Sequence, residues 1–259
     1  MKDLKNTDGW NAKYYKKHSD PRQFQRGLMA VQKMNLYGDE HVLDIGCGDG
    51  RLTAEIAHRL PNGSVHGIDI SASMINEAKS CFGEIKNLSF QQADIVTWSS
   101  EKKCNVVVSF ATFHWIKDQL QALQNIHHVL TAGGSLIIIM DAGGSRSIND
   151  VLTSEKWKPL IPPRNETYFP QSANAMTTML KKCGFAAIST RIENNVRVFA
   201  NADEFFNWTM NWLPQTTGLS REKVAELAQD IVDAVCADQK NMQQLEVEAP
   251  TLYVQATRS

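Results

Sequence analysis

The sequence predicts an α/β fold, a doubly wound sheet with helices on both faces, and three observations carry that expectation. Short, almost entirely apolar runs recur between residues 41 and 140. Amphipathic helical patterns separate them. A glycine-rich stretch, "VLDIGCGDGR" at 42–51, sits where the first run gives way to the first helix. Strands of a parallel sheet are buried on both faces and lose the alternation of half-exposed strands. Apolar runs between helices therefore signal that arrangement.

The elements follow in order. "HVLDI" (41–45) is the first strand, and "RLTAEIAHRL" (51–60) is a helix with Leu52, Ile56 and Leu60 on one face. Pro61, Asn62 and Gly63 stop it. "SVHGIDI" (64–70) is the second strand, and "SASMINEAKSCF" (71–82) a helix with Ser71 as its N-cap. "LSFQQADI" (88–95) and "CNVVVSF" (104–110) are strands, "DQLQALQNIHHVL" (118–130) a helix, and Gly133-Gly134 lead into the strand "SLIIIM" (135–140). "KPLIPPRNETYFP" (158–170), with four prolines, is expected to be a loop. "QSANAMTTMLKKCGF" (171–185) is a helix stopped by Gly184, and "AAISTRIENNVRVF" (186–199) a strand. Two helical patterns, 202–213 and 220–239, join at Pro214 to Gly218, and "TLYVQATR" (251–258) alternates as an edge strand does. A helical pair between two late strands is expected to form a cap inserted at about 200–240 rather than a second domain.

The bulk properties exclude several functions. With hydrophobic residues at 42% and charged residues at 21%, a chain of 259 residues can bury a sizeable core. Lys and Arg total 27 against 28 acidic residues, a net charge of -1, which gives no general attraction to nucleic acid or an anionic membrane. The longest strongly apolar stretch, "LIIIM" at 136–140, is far shorter than the about 20 residues a membrane span needs. The opening "MKDLKNTDGW" lacks the apolar region of a signal peptide. Five scattered cysteines without a CxxC spacing suit free thiols in a reducing compartment. A cytoplasmic protein is expected, acting on a small molecule.

The glycine loop is spaced G-x-G-x-G (Gly46, Gly48, Gly50), not the G-x-G-x-x-G of dinucleotide-binding loops. Asp44 ends the strand before it and Asp49 lies inside it. A pyrophosphate would meet two carboxylates where it needs bare N–H groups. Asp69, 19 residues beyond Gly50, ends the second strand, where a carboxylate takes both ribose hydroxyls. Asp94 ends the third, within reach of an adenine amino group. S-adenosylmethionine, with an ammonium, a sulfonium and no phosphate, suits this acidic set; a nicotinamide cofactor does not.

Through "VLDIGCGDG", "GIDIS", "QQADI" and "VVSFATFHW", the chain resembles the class I, Rossmann-like S-adenosylmethionine-dependent methyltransferases over roughly residues 10–141. The resemblance implies a seven-stranded mixed sheet whose last strand, "TLYVQATR", runs antiparallel. It implies Asp44, Gly46, Cys47 and Gly48 at the methionine end, Asp69 on the ribose, and Ile70 and Met74 around the adenine. Asp94 and Ile95 would lie at the adenine edge, with Phe110 beside the cofactor. The whole of 1–259 would be one domain, with 1–37 an N-terminal helical lid.

Residues after the fourth strand border the acceptor in that family. Here "SFATFHW" (109–115) differs from the Asn/Asp-Pro-Pro-Tyr/Phe tetrad of enzymes that methylate nucleic-acid or protein nitrogens. His114-Trp115, with "GWNAKYYKKHSDPRQFQ" at 9–25, is similar to the small-acid group typified by trans-aconitate and juvenile hormone acid methyltransferases. That resemblance implies that Trp115 and Gln23, or alternatively Gln25, orient an acceptor carboxylate, and that Tyr15 lies over the cofactor. His114 is a donor to the acceptor, a base for another nucleophile, or a loop histidine bonded to backbone. A carboxylate, with a pKa of about 4, arrives ionised, whereas an alcohol or amine needs a base. The expected activity is metal-independent O-methylation of a small-molecule acid, with an apolar-tailed acid among the candidates. The alternatives are a malonyl group on a carrier protein, a hydroxyl or amine acceptor, and a binding module without catalysis. Phe205, Trp208, Trp212 and Leu213 are expected to pack a cap helix onto the sheet, with an apolar acceptor pocket lined by the same face as the alternative. Arg146, Arg164 and Arg197 are expected to be solvated, with pairing to a polyacidic acceptor as the alternative. His127 and His128 face different ways on their helix, and no metal constellation is visible.

Overall fold

A computed structural model of the chain describes residues 10, 12–18, 21–163, 166–239 and 244–259. Its strands are β1 (His41–Ile45), β2 (Ser64–Asp69), β3 (Leu88–Gln92), β4 (Cys104–Phe110), β5 (Leu130–Asp141), β6 (Phe185–Phe199) and β7 (Leu245–Arg258). They form one sheet in the order β3-β2-β1-β4-β5-β7-β6. The first five run parallel to one another, and β7 pairs antiparallel with both β5 and β6.

The helices are α1 (Ala12–His18), α2 (Pro21–Lys33), α3 (Arg51–His58), α4 (Ala72–Phe82), α5 (Gln119–Val129), α6 (Arg146–Leu152), α7 (Ala173–Lys182), α8 (Ala202–Thr217) and α9 (Arg221–Asp238). Double winding is visible residue by residue. In β1 and β4, Val42, Val106 and Val108 pack with Ile56 of α3 and Ile75 of α4 on one face. Their neighbours Leu43 and Val107 pack with Leu123 and Ile126 of α5 on the other. Successive side chains of a strand point to opposite faces, so an all-apolar strand needs a helical layer on each side. Ser71 caps α4 as expected, its hydroxyl accepting from Met74 N–H at 3.2 Å.

Three expectations need correction. The strand β7 is internal: β5 lies on one side of it and β6, the edge strand, on the other. Its alternation over 251–258 comes from Leu252, Val254 and Ala256, buried in the core on one face, while Tyr253 and Gln255 on the other are less covered. The helix α8 does not stop at Pro214 but runs through it to Thr217, ending on Gly218 at φ 64°. Proline costs it one backbone bond, and around it the Thr216 and Thr217 hydroxyls donate to the Trp212 and Leu213 carbonyls. Gly133 and Gly134 lie inside β5 rather than before it.

The helices α6, α8 and α9 close on the β6–β7 ribbon through a core of their own, in which Phe205, Leu213, Leu227 and Ile231 are fully buried against Phe199 and Val247. This core stands over the C-terminal ends of β4 and β5. No helix among the described residues is long and apolar enough to cross a membrane.

Candidate active site

The C-terminal ends of β1, β2, β4 and β5 open into a cavity of about 260 Å³, closed above by residues of α1, α2 and α8. One end is acidic. Asp44, at the end of β1, is almost wholly buried and accepts a 2.7 Å hydrogen bond from the Thr53 hydroxyl of α3. Burial pushes its carboxyl up to about 7; the Thr53 bond opposes that rise and the neighbouring Asp69 charge adds to it. Asp69 is anchored through both oxygens, Oδ2 accepting from Gly48 N–H at 3.0 Å and Oδ1 from Ser71 N–H at 2.9 Å. A carboxylate oxygen accepts more than one bond, so this anchoring orients Asp69 while leaving it acceptor capacity.

Backbone requirements fix the glycines between them. Gly46 has φ 72°, and a Cβ there would lie 2.1 Å from the Thr112 hydroxyl. Gly48, at φ 55°, faces open space in the cavity. Its N–H turns to Asp69, and a side chain would project where a ligand must lie.

The other end is built by the short 3₁₀ turn Phe113–Trp115 that follows β4. Ala111 leads into it with φ 53°, a left-handed conformation that costs a non-glycine residue about 1 kcal/mol. The Gln119 side-chain amide donates to the carbonyls of Phe113 (3.0 Å) and Phe169 (2.7 Å), tying this turn to the loop that carries Tyr168. His114 is 2% exposed. Its Nδ1 accepts from the backbone N–H of Asp141 at 3.2 Å, and its Nε2 faces the Asp141 carboxylate at 4.0 Å. Nδ1 therefore carries the lone pair and Nε2 the hydrogen. Asp141 also accepts from the Arg197 guanidinium at 3.0 Å. Burial pushes its carboxyl up, but the Arg197 guanidinium is the largest influence against that, and the carboxyl stays below the usual range. Trp115 packs edge-on against both Tyr168 (5.5 Å between centroids) and Trp10 (6.0 Å), and Trp10 in turn contacts Tyr15.

Of the residues singled out in the sequence, Asp44, Gly46, Cys47, Gly48, Asp69, Ile70 and Met74 line the acidic end. Phe110, His114, Trp115 and Tyr15 line the remainder. Asp94 and Ile95 are not among the lining residues. The Asp94 carboxylate is turned onto Val96 N–H at 2.9 Å, serving its own turn, and Ile95 is buried in the core under α5. Gln23 belongs to α2, but its side chain lies outside the described residues, as does Arg164; Gln25 is exposed.

Two further readings change, and on α8 the structure divides the aromatic face between its two alternatives. Asp49 is not a bare charge, since the Arg51 guanidinium holds it at 2.8 Å. Repulsion of a phosphate therefore falls to Asp44 and Asp69. Arg197 is not solvated: it is 7% exposed, stacked over Trp208 and paired with Asp141, whereas Arg146 is exposed. On α8, Phe205 and Leu213 pack the cap, but Trp208 and Trp212 reach the cavity. Asp141, Tyr168 and Asn211 belong to the cavity wall and were not singled out. Asp141 had a visible signal, since it ends the apolar run "LIIIMD" as Asp44 and Asp69 end theirs. Tyr168 and Asn211 had none.

A buried carboxyl held near neutrality, beside a second carboxylate fixed by backbone N–H groups, fits a ligand that brings a cation and a diol. S-adenosylmethionine brings both. Residues 42–134 match the methyltransferase domain family Methyltransf_25. The chain is 27% identical over 216 residues to the putative methyltransferase 235L of Invertebrate iridescent virus 6, covering 82% of this chain and 80% of that one. It is 30% identical over 154 residues to the trans-aconitate 2-methyltransferase of Rhodopseudomonas palustris (strain BisB5), spanning only 58% of each. A putative methyltransferase from Bacillus halodurans superposes with a TM-score of 0.65 over 90% of this chain and 99% of its own, at 16% identity, which is a likeness of fold. The matched segment, 42–134, is the one that supplies the acidic end of the cavity and the turn bearing Trp115. Residues 42–134 thus form a methyltransferase domain, and the sheet order around them, with the relatives just named, supports a class I, Rossmann-like S-adenosylmethionine-dependent methyltransferase.

Proposed function

We propose that the protein esterifies the carboxylate of a small molecule. One observation carries this reading: His114 presents no lone pair for a base. Its Nδ1 is occupied by Asp141 N–H, so Nε2 can only donate. Asp141, held low by Arg197, is a weak base at neutral pH. An alcohol or amine acceptor would need a group that takes its proton; a carboxylate arrives without one. S-adenosylmethionine, when bound, supplies a methyl group that the acceptor oxygen takes in line as the carbon–sulfur bond breaks and a neutral thioether leaves.

The chain's part is positioning. Asp44 and Asp69 hold the cationic, diol-bearing end, and Gly48 lets it approach the backbone. The Trp115 indole N–H orients the acceptor carboxylate from the wall that Trp10 and Tyr168 brace. Tyr15 and Trp10, carried by and beside α1, cover part of the cavity mouth. The test is methyl transfer from labelled S-adenosylmethionine to a panel of small acids, alcohols and amines, followed by base treatment. Volatile, base-released label from acids alone is the expected result. Stable label on alcohols or amines, with none on any acid, would overturn the reading.

A further inference from the structure

A second cavity, of about 310 Å³, adjoins the first. Trp115, Tyr168 and Trp212 line both, so the two spaces share one aromatic wall. Its far side is formed by Leu152 of α6 and by Ile161 and Pro162 of the proline-rich loop. Lys158 is the one charged side chain among its described lining residues. The threonines that α8 contributes are apolar in effect, because Thr216 and Thr217 donate their hydroxyls to the Trp212 and Leu213 carbonyls of their own helix. The shared wall holds an orphan: the Trp212 indole N–H is buried and has no hydrogen-bond partner among the described residues. Buried N–H groups in native proteins are paired, so this one awaits an oxygen that a ligand would bring.

Charge selects the direction a ligand extends. An acceptor carboxylate at Trp115 has Asp44 and Asp69 on the glycine-loop side and the Asp141–Arg197 pair on the β5–β6 side. Arg26, Arg51 and Glu248 also line the first cavity, whereas the wall shared with the second cavity, Trp115, Tyr168 and Trp212, carries no charge. Beyond that wall lies a space that stabilises hydrocarbon and, among its described lining residues, offers a second carboxylate Lys158 alone.

We propose that the second cavity receives the hydrocarbon tail of the methyl acceptor, an unbranched monocarboxylic acid whose head group lies between the Trp115 and Trp212 indoles. The proposal deepens the carboxyl-methylation reading and rests on it for the position of the head group. It also separates this chain's acceptor from a compact polycarboxylate, which would leave the second cavity unused.

The experiment is calorimetric binding of unbranched acids, from about four to about twelve carbons, to the full chain saturated with S-adenosylhomocysteine, with methyl transfer measured on the same series. Each methylene moved from water into the cavity is expected to tighten binding about fourfold until the space is filled. Thr216→Trp and Ile161→Trp each put a ring into the second cavity, from a helix and from a loop respectively. Either variant, provided it folds, should end the gain at shorter chains. An affinity independent of chain length, or a full gain retained in both variants, would overturn the proposal. Acids that bind with the expected dependence but are never methylated would keep the tail site and overturn the carboxyl-methylation reading. Methylation of short acids without any chain-length gain would do the reverse.

Discussion

The two ends of the cavity are assembled differently. The acidic end comes from one stretch, Asp44 to Met74, in which two strands, two turns and two helix starts follow one another directly. The acceptor end draws on Trp10, His114, Asp141, Tyr168, Arg197 and Trp212, six residues from six separate segments. A ligand common to a whole family can be held by a local motif. An acceptor that differs between members is held by residues that meet only through the tertiary fold.

The largest effect that would sharpen this comparison is expected at Asp69. Removing its carboxylate in Asp69→Ala takes away the charge-assisted bonds to a ribose and strands the N–H groups of Gly48 and Ser71. Cofactor binding should weaken by about 2 to 3 kcal/mol, read by calorimetry with S-adenosylhomocysteine. An unchanged affinity would move the ribose elsewhere. Arg197→Met should give the opposite pattern: cofactor affinity retained, acceptor turnover lost, and stability lowered by about 2 kcal/mol because the Asp141 carboxylate loses its cation. Loss of cofactor affinity in that variant would show that the two ends are not independent.

Asp44 offers a pH test of the acidic end. Its carboxyl is raised to about 7 in the folded chain. The protonated form therefore predominates below that pH, and a cationic ligand must displace the proton. Cofactor affinity should rise with pH up to about 7 and level off above it, with proton uptake by the buffer on binding below pH 7. The same raised value makes the ligand-free protein lose stability progressively as pH rises from its ordinary 3.8 towards 7. Calorimetry in two buffers of different ionisation enthalpy measures the proton; an affinity flat from pH 6 to pH 8 would be the contrary result.

The smallest effect is expected where α1 meets the cap. The Tyr14 hydroxyl donates to Asn207 Oδ1 at 3.1 Å, and Asn211 Nδ2 donates to the His18 carbonyl at 2.8 Å. Tyr14→Phe removes one such bond and should cost about 0.5 to 1 kcal/mol of thermal stability, with a modest rise in the KM for acceptor.

The same contrast explains what could be read from the chain directly. Apolar runs located the central strands β1, β4 and β5, because strands buried on both faces leave a dense local pattern, whereas β6 and β7 show alternation instead. Asp44 and Asp69 could be read because strand end and loop are adjacent in sequence. Asp94 looked equivalent, yet its carboxylate serves its own turn, and nothing in "QQADI" distinguishes an acid that faces a cavity from one that caps a bend. The Arg197–Asp141 pair joins β6 to β5 across the intervening β7, a register set by the ribbon and invisible until the strand order is known. The passage of α8 through Pro214 depends on hydroxyls and packing around one missing N–H, which helix propensity does not register.

The most direct measurement of the central claim is the pH dependence of turnover at saturating cofactor and acceptor. With the His114 Nδ1 lone pair committed to Asp141 N–H, no group at the acceptor end has to lose a proton before transfer. Turnover should be level between about pH 6 and about pH 8. A tenfold rise per pH unit across that window, abolished in His114→Gln, would show that His114 acts as a base and that the acceptor is not a carboxylate.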